Sequence, residues 1–351
     1  MLSKKLRTLF NYSKRLFPPK NMSAAVELNR RFEDERQREY LGVYKPVNKI
    51  LPLVSVSVAT YQHINYIKRC VEGILMQKTS FPIEIIIGDD GSEDGTTEIC
   101  KDYARQYPNL IRLFIRDRKT SQYYENGKFI CRFNGVWCRM SCRGKYIAWC
   151  EGDDYWTDPL KLQEQVDFLE RNTKYVVCHH SFSIQDENGN EVSSYYPPNN
   201  FDFTPKQLAS GAFMKTNTLL FRNVELNYPT KALMIANGDT YLIAQLAKYG
   251  YAKYLPDILP SVYTIHKGGI WSPLDNNKKL YKQIETFEVI KENIPYRLKR
   301  EVNKTLFNLY FIRFNTERNS RSKFKNVLDL LMLFKKYPFL LIQEVLNKAL
   351  K

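Results

Sequence analysis

Between residues 50 and 150 the apolar positions fall in short runs separated by polar clusters, and their period changes from run to run. Leu53 to Ala59 (LVSVSVA) alternates and predicts a strand that runs into Thr60-Tyr61. Between residues 63 and 78, Ile64, Ile67, Val71, Ile74 and Leu75 recur at helical spacing. Ile83 to Ile87 (IEIII) is nearly continuous, the pattern of a strand covered on both faces of a parallel sheet, and leads into Gly88-Asp89-Asp90-Gly91-Ser92. The pattern then predicts a helix over Thr96 to Tyr107, a strand over Leu110 to Ile115 and a helix over Lys128 to Cys142. A further strand, Tyr146 to Cys150, ends at Glu151-Gly152-Asp153-Asp154. Such alternation predicts a doubly wound α/β sheet, whose ligands sit beyond the carboxyl ends of the strands. Ala59-Thr60-Tyr61, Asp89-Asp90 and Asp153-Asp154 all fall at such ends and are expected to converge.

Beyond residue 160 the pattern is less regular. It predicts helices over Lys161 to Glu170 and Thr240 to Lys248, and strands over Tyr175 to Cys178, Leu219 to Phe221 and Ile258 to Ile265. Gly189 marks a turn, Tyr195 to Phe203 a loop rich in Pro and Asn, and the chain after about residue 275 reads as helical and basic. At the other end, Leu2, Leu6, Leu9 and Phe10 have helix-like spacing among basic residues, and Pro18-Pro19 ends that stretch. Three regions follow: a basic helical extension over 1–48, the α/β domain over 49–272 and a basic helical region over 273–351.

Charge sharpens this picture. With 53 Lys and Arg against 37 Asp and Glu, the net charge of +16 favours anionic partners: nucleotide phosphates, nucleic acid or anionic lipid. A hydrophobic fraction of 44% excludes wholesale disorder, and no run approaches the ~18 apolar residues of a membrane span. Lys323, Lys325, Lys335 and Lys336 flank Val327, Leu328, Leu331, Met332 and Phe334. This basic amphipathic segment suits either an anionic membrane surface or packing on the α/β domain. The seven cysteines form no CxxC pair, so reduced thiols in a cytoplasmic protein are expected rather than zinc. The N-terminus has no apolar core of a secretory signal. His179 and His180 are adjacent on a strand and point to opposite faces, which argues against one shared ion.

The EGDD cluster is a hard-oxygen constellation, tolerable when solvated or when Mg²⁺ or Mn²⁺ supplies counter-charge. Asp158, before Pro159, is expected to cap the following helix. Taken together, VSVSVATYQ (54–62), IIIGDDGSEDGTTEI (85–99), GKYIAWCEGDDYWTDPLKLQEQVDFLE (144–170), ANGDTYLIAQLAKYGY (236–251) and VYTIHKGGIWS (262–272) resemble family 2 glycosyltransferases. The EGDDYWTDP form is similar to a bacterial subgroup that builds surface polysaccharides such as capsule and lipopolysaccharide.

The resemblance implies the GT-A fold, a doubly wound mixed sheet with helical N- and C-terminal appendages. It also implies inverting transfer from a nucleotide-diphosphate sugar, a UDP-sugar by family habit, to a saccharide or lipid-linked glycan acceptor. Ala59, Tyr61, Asp89, Asp90 and Asp153 would hold the nucleotide, with Asp89 alternatively satisfying backbone donors of the following turn. Asp153, Asp154, Glu151 and His266 would hold Mn²⁺ or Mg²⁺ across the two phosphates. Asp239 would be the general base, its rival role being an N-cap. Thr216 and Asn217 would lie on the acceptor side. Tyr155 and Trp156 would stack on sugar or pack in the core, and Arg112, Arg116, Arg118 and Lys119 would meet diphosphate or form a solvated basic edge. The implied setting is the cytoplasm, peripherally at the inner face of the membrane.

The rival class is a basic nucleic-acid- or membrane-binding protein with a degenerate, non-catalytic domain of this fold. No RNA- or DNA-binding signature is present, much of the excess charge lies in the termini, and no nucleic acid is expected as a partner. The Rossmann and P-loop glycine motifs are absent as well.

Overall fold

The computed structural model describes residues 24–35, 38–125, 128–192, 201–269, 271, 274–318 and 323–342. The expected helix around Leu2 to Phe10 and most of the loop from Tyr195 lie outside these residues. Seven strands form the central sheet: β1 (Val54–Thr60), β2 (Ile83–Asp89), β3 (Ile111–Ile115), β6 (Tyr146–Trp149), β7 (Tyr175–His179), β9 (Leu220–Arg222) and β10 (Tyr251–Tyr254). Their order is β10-β7-β9-β6-β1-β2-β3, and β9 runs antiparallel to both neighbours while the other pairs are parallel. The expected doubly wound mixed α/β sheet is what forms.

Side-chain alternation sorts the core into two layers. Val54, Val56, Val58, Ile85 and Ile87 pack under the helices Ile67–Leu75, Thr96–Gln106 and Lys161–Arg171. Ile86, Phe114, Ile147 and Phe221 face the opposite way, in one core that runs from Cys138 out to the helices Gly238–Leu246, Asn276–Asn293 and Tyr296–Glu317. Each fully buried side chain of this size contributes about 1.5–3 kcal/mol, so both layers hold the sheet. On the face opposite the β1 valines, Ser55 donates to Glu84, whose buried carboxylate also binds Arg143 and Arg112. Arg112 continues to Glu39, and Glu39 to Lys45. Arg112 is therefore an internal counter-ion, not part of a solvated basic edge.

The N-terminal segment adds to the sheet, because the Tyr40 N–H donates to Leu113 O. The predicted helix over 128–142 is corrected. A hairpin of β4 (Gln122–Glu125) and β5 (Lys128–Arg132) occupies its first part, and only Asn134–Met140 is helical. The sequence held the signal in Asn126-Gly127 between two short runs that carry Tyr123, Tyr124 and Phe129. Two further strands, β8 (Phe182–Asp186) and β11 (Ser261–Ile265), pair in parallel beside the main sheet.

The C-terminal helix Lys323–Lys336 has two faces. Leu333, Tyr337 and Leu341, the last two just beyond its end, turn into the core. Val327, Leu331, Phe334, Phe339 and Ile342 remain exposed. Among the described residues no helix is long and apolar enough to cross a membrane.

Candidate functional site

The polar clusters do meet at the carboxyl edge of the sheet. The EGDD loop continues beside β1, with the Gly152 N–H donating to Ala59 O at 3.0 Å, and the Asp90 N–H donates to Thr60 O at 3.0 Å. Gly152 is required by this approach. A Cβ there would lie 2.6 Å from Thr60 Oγ1 and 2.9 Å from His63 Nδ1.

Three groups from three different loops converge beyond that glycine: His63 after β1, Asp153 after β6 and His266 after β11. His266 Nε2 lies 3.0 Å from Asp153 Oδ2, and His63 Nε2 lies 3.9 Å from the same oxygen. Thr60 Oγ1 sits 3.1 Å from His63 Nδ1 and orients the ring. The ligand atoms of all three lie within 4.8 Å of one another. Two imidazoles and a carboxylate suit a first-row divalent cation, and Thr60 supplies the outer contact that fixes a ligating ring. These residues therefore fit the implied metal. His63 was missed in the sequence, where it stands among polar residues with no second ligand nearby.

The four expected ligands do not form one group, which corrects that expectation. Glu151 accepts a hydrogen bond from Thr216 Oγ1 at 2.7 Å, and Asp154 accepts the Thr264 N–H at 3.0 Å. Both lie outside the three-residue group found among the described residues. Burial pushes the Glu151 carboxyl up to about 7, and burial together with the Asp153 and Glu151 charges raises that of Asp154. Burial also opposes ionisation of Asp153, but the His266 hydrogen bond and both imidazoles outweigh it and lower its pKa. Burial lowers His63.

The expected nucleotide residues divide in two. Asp89 is buried and accepts the Ser92 N–H of the following turn at 3.4 Å, together with the Ser92 and Thr97 hydroxyls. Asp90 accepts from Ser121 Oγ and from Arg118 Nη1 at 3.0 Å. The Arg118 guanidinium lies 3.4 Å from the centroid of the Tyr61 ring. Tyr61, Asp90 and Arg118 thus form one corner at the ends of β1 and β2. Arg116 is buried beneath it against Asn134, not on a solvated edge.

Trp156 is 2% exposed and donates Nε1–H to Asn217 O at 2.8 Å, so its ring packs inside rather than meeting a sugar. Asn217 is likewise buried, its amide donating to Val262 O, which corrects its expected acceptor contact. Asp158 holds the N–H groups of Leu160 and Leu259 just ahead of its helix. His179 bonds Phe201 O and His180 lies beside Ser261, two separate environments. The seven cysteines are buried free thiols.

Asp239 is not the N-cap. Its helix begins at Gly238 with Asn237 in the capping position, and Asp239 lies in the first turn with Oδ1 on the Thr240 N–H. It lines a cleft with Phe213, Met214, Thr240, Gln283 and Phe287. The wall carrying Gln283 and Phe287 belongs to the helix Asn276–Asn293, the first of the C-terminal region. Lys215 follows Met214, a residue of this cleft, and the charges of Asp154, Glu151, Asp239 and Asp153 oppose the lowering that burial imposes on its ammonium.

Residues 55–129 and 137–234 match the glycosyl transferase family 2 model. This chain belongs to that family. An uncharacterized protein of Mycobacterium tuberculosis, Rv1520, is 35% identical over 223 residues, covering 63% of this chain and 60% of that one. The putative glycosyltransferase EpsE of Bacillus subtilis is 34% identical over 138 residues, 39% of this chain and 46% of that protein. The chain thus matches less than two thirds of the length of these relatives. The crystal structure of S. aureus TarS 1-349 superposes with a TM-score of 0.51 at 14% identity, covering 81% of this chain and 79% of that one. The fold is GT-A.

Proposed function

We propose that this family 2 member transfers a sugar, with inversion, from a nucleoside-diphosphate sugar to a hydroxyl of a saccharide or lipid-linked glycan. The observation that carries this reading is the meeting of His63, Asp153 and His266 at the strand ends, beside the Tyr61–Asp90–Arg118 corner, with the Asp239 cleft joined to the EGDD loop through Met214 and the Thr216–Glu151 bond. His63, Asp153 and His266 would hold Mn²⁺, which when bound supplies Lewis-acid charge stabilisation to a diphosphate. Tyr61 and Asp90 offer a ring face and a hydrogen-bond acceptor to a base, after Arg118 moves aside. Uracil is the base this reading favours, and the S. aureus TarS structure in complex with UDP-GlcNAc supports it by fold. Asp239 takes the acceptor proton as the acceptor oxygen bonds to the anomeric carbon and the bond to diphosphate breaks.

The acceptor enters along Phe213, Gln283 and Phe287, so the C-terminal helices contribute to its recognition. The exposed apolar face of Lys323–Lys336, with Lys335 and Lys336 at its edge, would seat the protein on an anionic membrane surface. We place the protein at the inner face of the cytoplasmic membrane, in surface-polysaccharide synthesis, on the same grounds together with the resemblance to that bacterial subgroup.

The test is a thermal-shift screen of sugar nucleotides with Mn²⁺ and, in parallel, with EDTA. A true donor at 100 times its dissociation constant stabilises the fold by about 2.7 kcal/mol, and EDTA should remove most of that. No shift with any sugar nucleotide would refute the reading.

A further inference from the structure

The carboxylate cluster holds a cation of its own. Lys215 leads into the short turn Thr216–Thr218 before β9, and its Nζ lies 3.1 Å from the centroid of the Tyr263 ring. Tyr263 sits on β11 between Val262, whose N–H and C=O pair with Tyr155, and Thr264, whose N–H holds Asp154. Thr216, the next residue along, donates to Glu151. Met214, the residue before, lines the Asp239 cleft. The ammonium is thereby fixed where the EGDD loop, β11 and that cleft come together. An aromatic face beneath a Lys head attracts the charge and restricts where it can go.

We propose that Lys215 binds the diphosphate of the donor and stabilises it as the leaving group. This rests on the nucleotide-sugar reading above. In the transfer, the bond from the anomeric carbon to the β-phosphate oxygen breaks and its electron pair stays on that oxygen. The acceptor oxygen forms the new bond, and its proton passes to Asp239. The diphosphate therefore gains negative charge beside the EGDD loop, where repulsion from its ionised carboxylate Asp153 would oppose departure. A cation already in place there is worth most when that charge appears, which is the condition for catalysis rather than simple binding. The competing role is internal: Lys215 would only neutralise Glu151 and Asp154.

Calorimetric titration of the full chain with UDP and with UMP, both in Mn²⁺, separates the two roles. The probes differ in the second phosphate alone. Wild type should prefer UDP, and Lys215→Met should weaken UDP about tenfold while leaving UMP within about twofold, as loss of one charge-assisted contact requires. Lys215→Arg should recover most of the preference. Tyr263→Leu, which keeps the charge and removes its platform, should lower it by a smaller factor. Equal losses for UDP and UMP, or an unchanged UDP affinity in a Lys215→Met protein that unfolds at the wild-type temperature, overturn the proposal and leave the nucleotide-sugar reading standing. If Lys215→Met does not fold, the comparison of Lys215→Arg with Tyr263→Leu decides by the same ratio. Wild type that binds neither UDP nor GDP overturns the parent reading, and this proposal with it.

Discussion

Asp153 Oδ2 lies 3.0 Å from His266 Nε2, a contact between residues on two separate strand-end loops that brings β11 against the EGDD turn. With His63 3.9 Å from the same oxygen, the pair makes a ligand set that no short sequence motif encodes. His266→Ala and His63→Ala should each weaken Mn²⁺ binding at least tenfold, and Asp153→Asn should do so more strongly. Titration followed by electron paramagnetic resonance of free Mn²⁺ measures this. Wild-type affinity in all three variants would remove the group from metal binding.

How far the site was legible depends on the range of the interactions. Strands β1, β2, β3 and β6 are local apolar runs, and each acidic cluster ends one of them, so the edge of the sheet could be read directly. His63 could not, because its partner Asp153 arrives only through the register of β1 with β6 and the bond from Gly152 to Ala59. Trp156 and Asn217 carried the residue types of a sugar contact, yet the bond between them lies inside the core. The β4–β5 hairpin was hidden because Lys128 to Cys142 has enough apolar residues to mimic one helix, whereas Asn126-Gly127 is a turn signal of two residues. Asp154 has the motif position of a ligand, but β11 supplies a backbone donor to it that no local pattern announces.

Gly152→Ala tests the close approach at the site. The added methyl would meet Thr60 and His63 at under 3 Å, and neither β1 nor the EGDD loop can retreat without breaking the bond from Gly152 to Ala59. We expect a folded protein, destabilised by about 1–3 kcal/mol as overpacked sites are, with Mn²⁺ binding impaired through His63. Unchanged metal affinity would show that the loop has room.

Asp239→Asn should fold like wild type, since Asn237 and not Asp239 occupies the capping position. Amide in place of carboxylate leaves the shape of the cleft but cannot accept the acceptor proton. Turnover should fall by about 10²–10⁴, with donor binding retained. Near-normal turnover, or a product that keeps the donor's anomeric configuration, would exclude this role.

Stability should fall in mild acid because of His179. Burial pushes its imidazole down to about 4 from the ordinary 6.5, and the ring stacks beside Phe203 with Nε2 donating to Phe201 O. A folded-state pKa below the unfolded one favours the neutral form. The contribution is complete above pH 6.5 and is lost as pH falls from 6.5 toward 4, about 2 kcal/mol by pH 5. His180, also lowered by burial, adds in the same direction. His179→Gln should flatten the dependence of the thermal midpoint between pH 7 and 5. An identical slope in the variant would place the acid sensitivity elsewhere.

The outward face of the C-terminal helix supplies the last test. Asp329, the one acidic residue among 323–342, is buried, while Leu331 is 59% and Phe339 85% exposed. A helix meant for water carries its charges outward, and here the exposed positions are apolar with Lys335 and Lys336 beside them, Lys336 also reaching Glu288. Burial in a lipid interface would recover the cost of that exposure, and near the surface each lysine adds about 1 kcal/mol on anionic lipid. The full chain should co-sediment with vesicles of 30% phosphatidylglycerol in phosphatidylcholine (about that fraction suffices for a strong surface potential) and bind pure phosphatidylcholine far less. The double variant Leu331→Glu with Phe334→Glu should abolish sedimentation. Lys335→Glu with Lys336→Glu should weaken it about tenfold or more, with a smaller dependence on salt. Leu331 and Phe334 are exposed, so the thermal midpoint of the first variant should hold, while the second loses the Lys336–Glu288 contact and should unfold slightly lower. Equal sedimentation of wild type and the double glutamate variant would exclude this face as the membrane contact, and a concentration-dependent dimer lost in that variant would assign the face to a second copy of the chain.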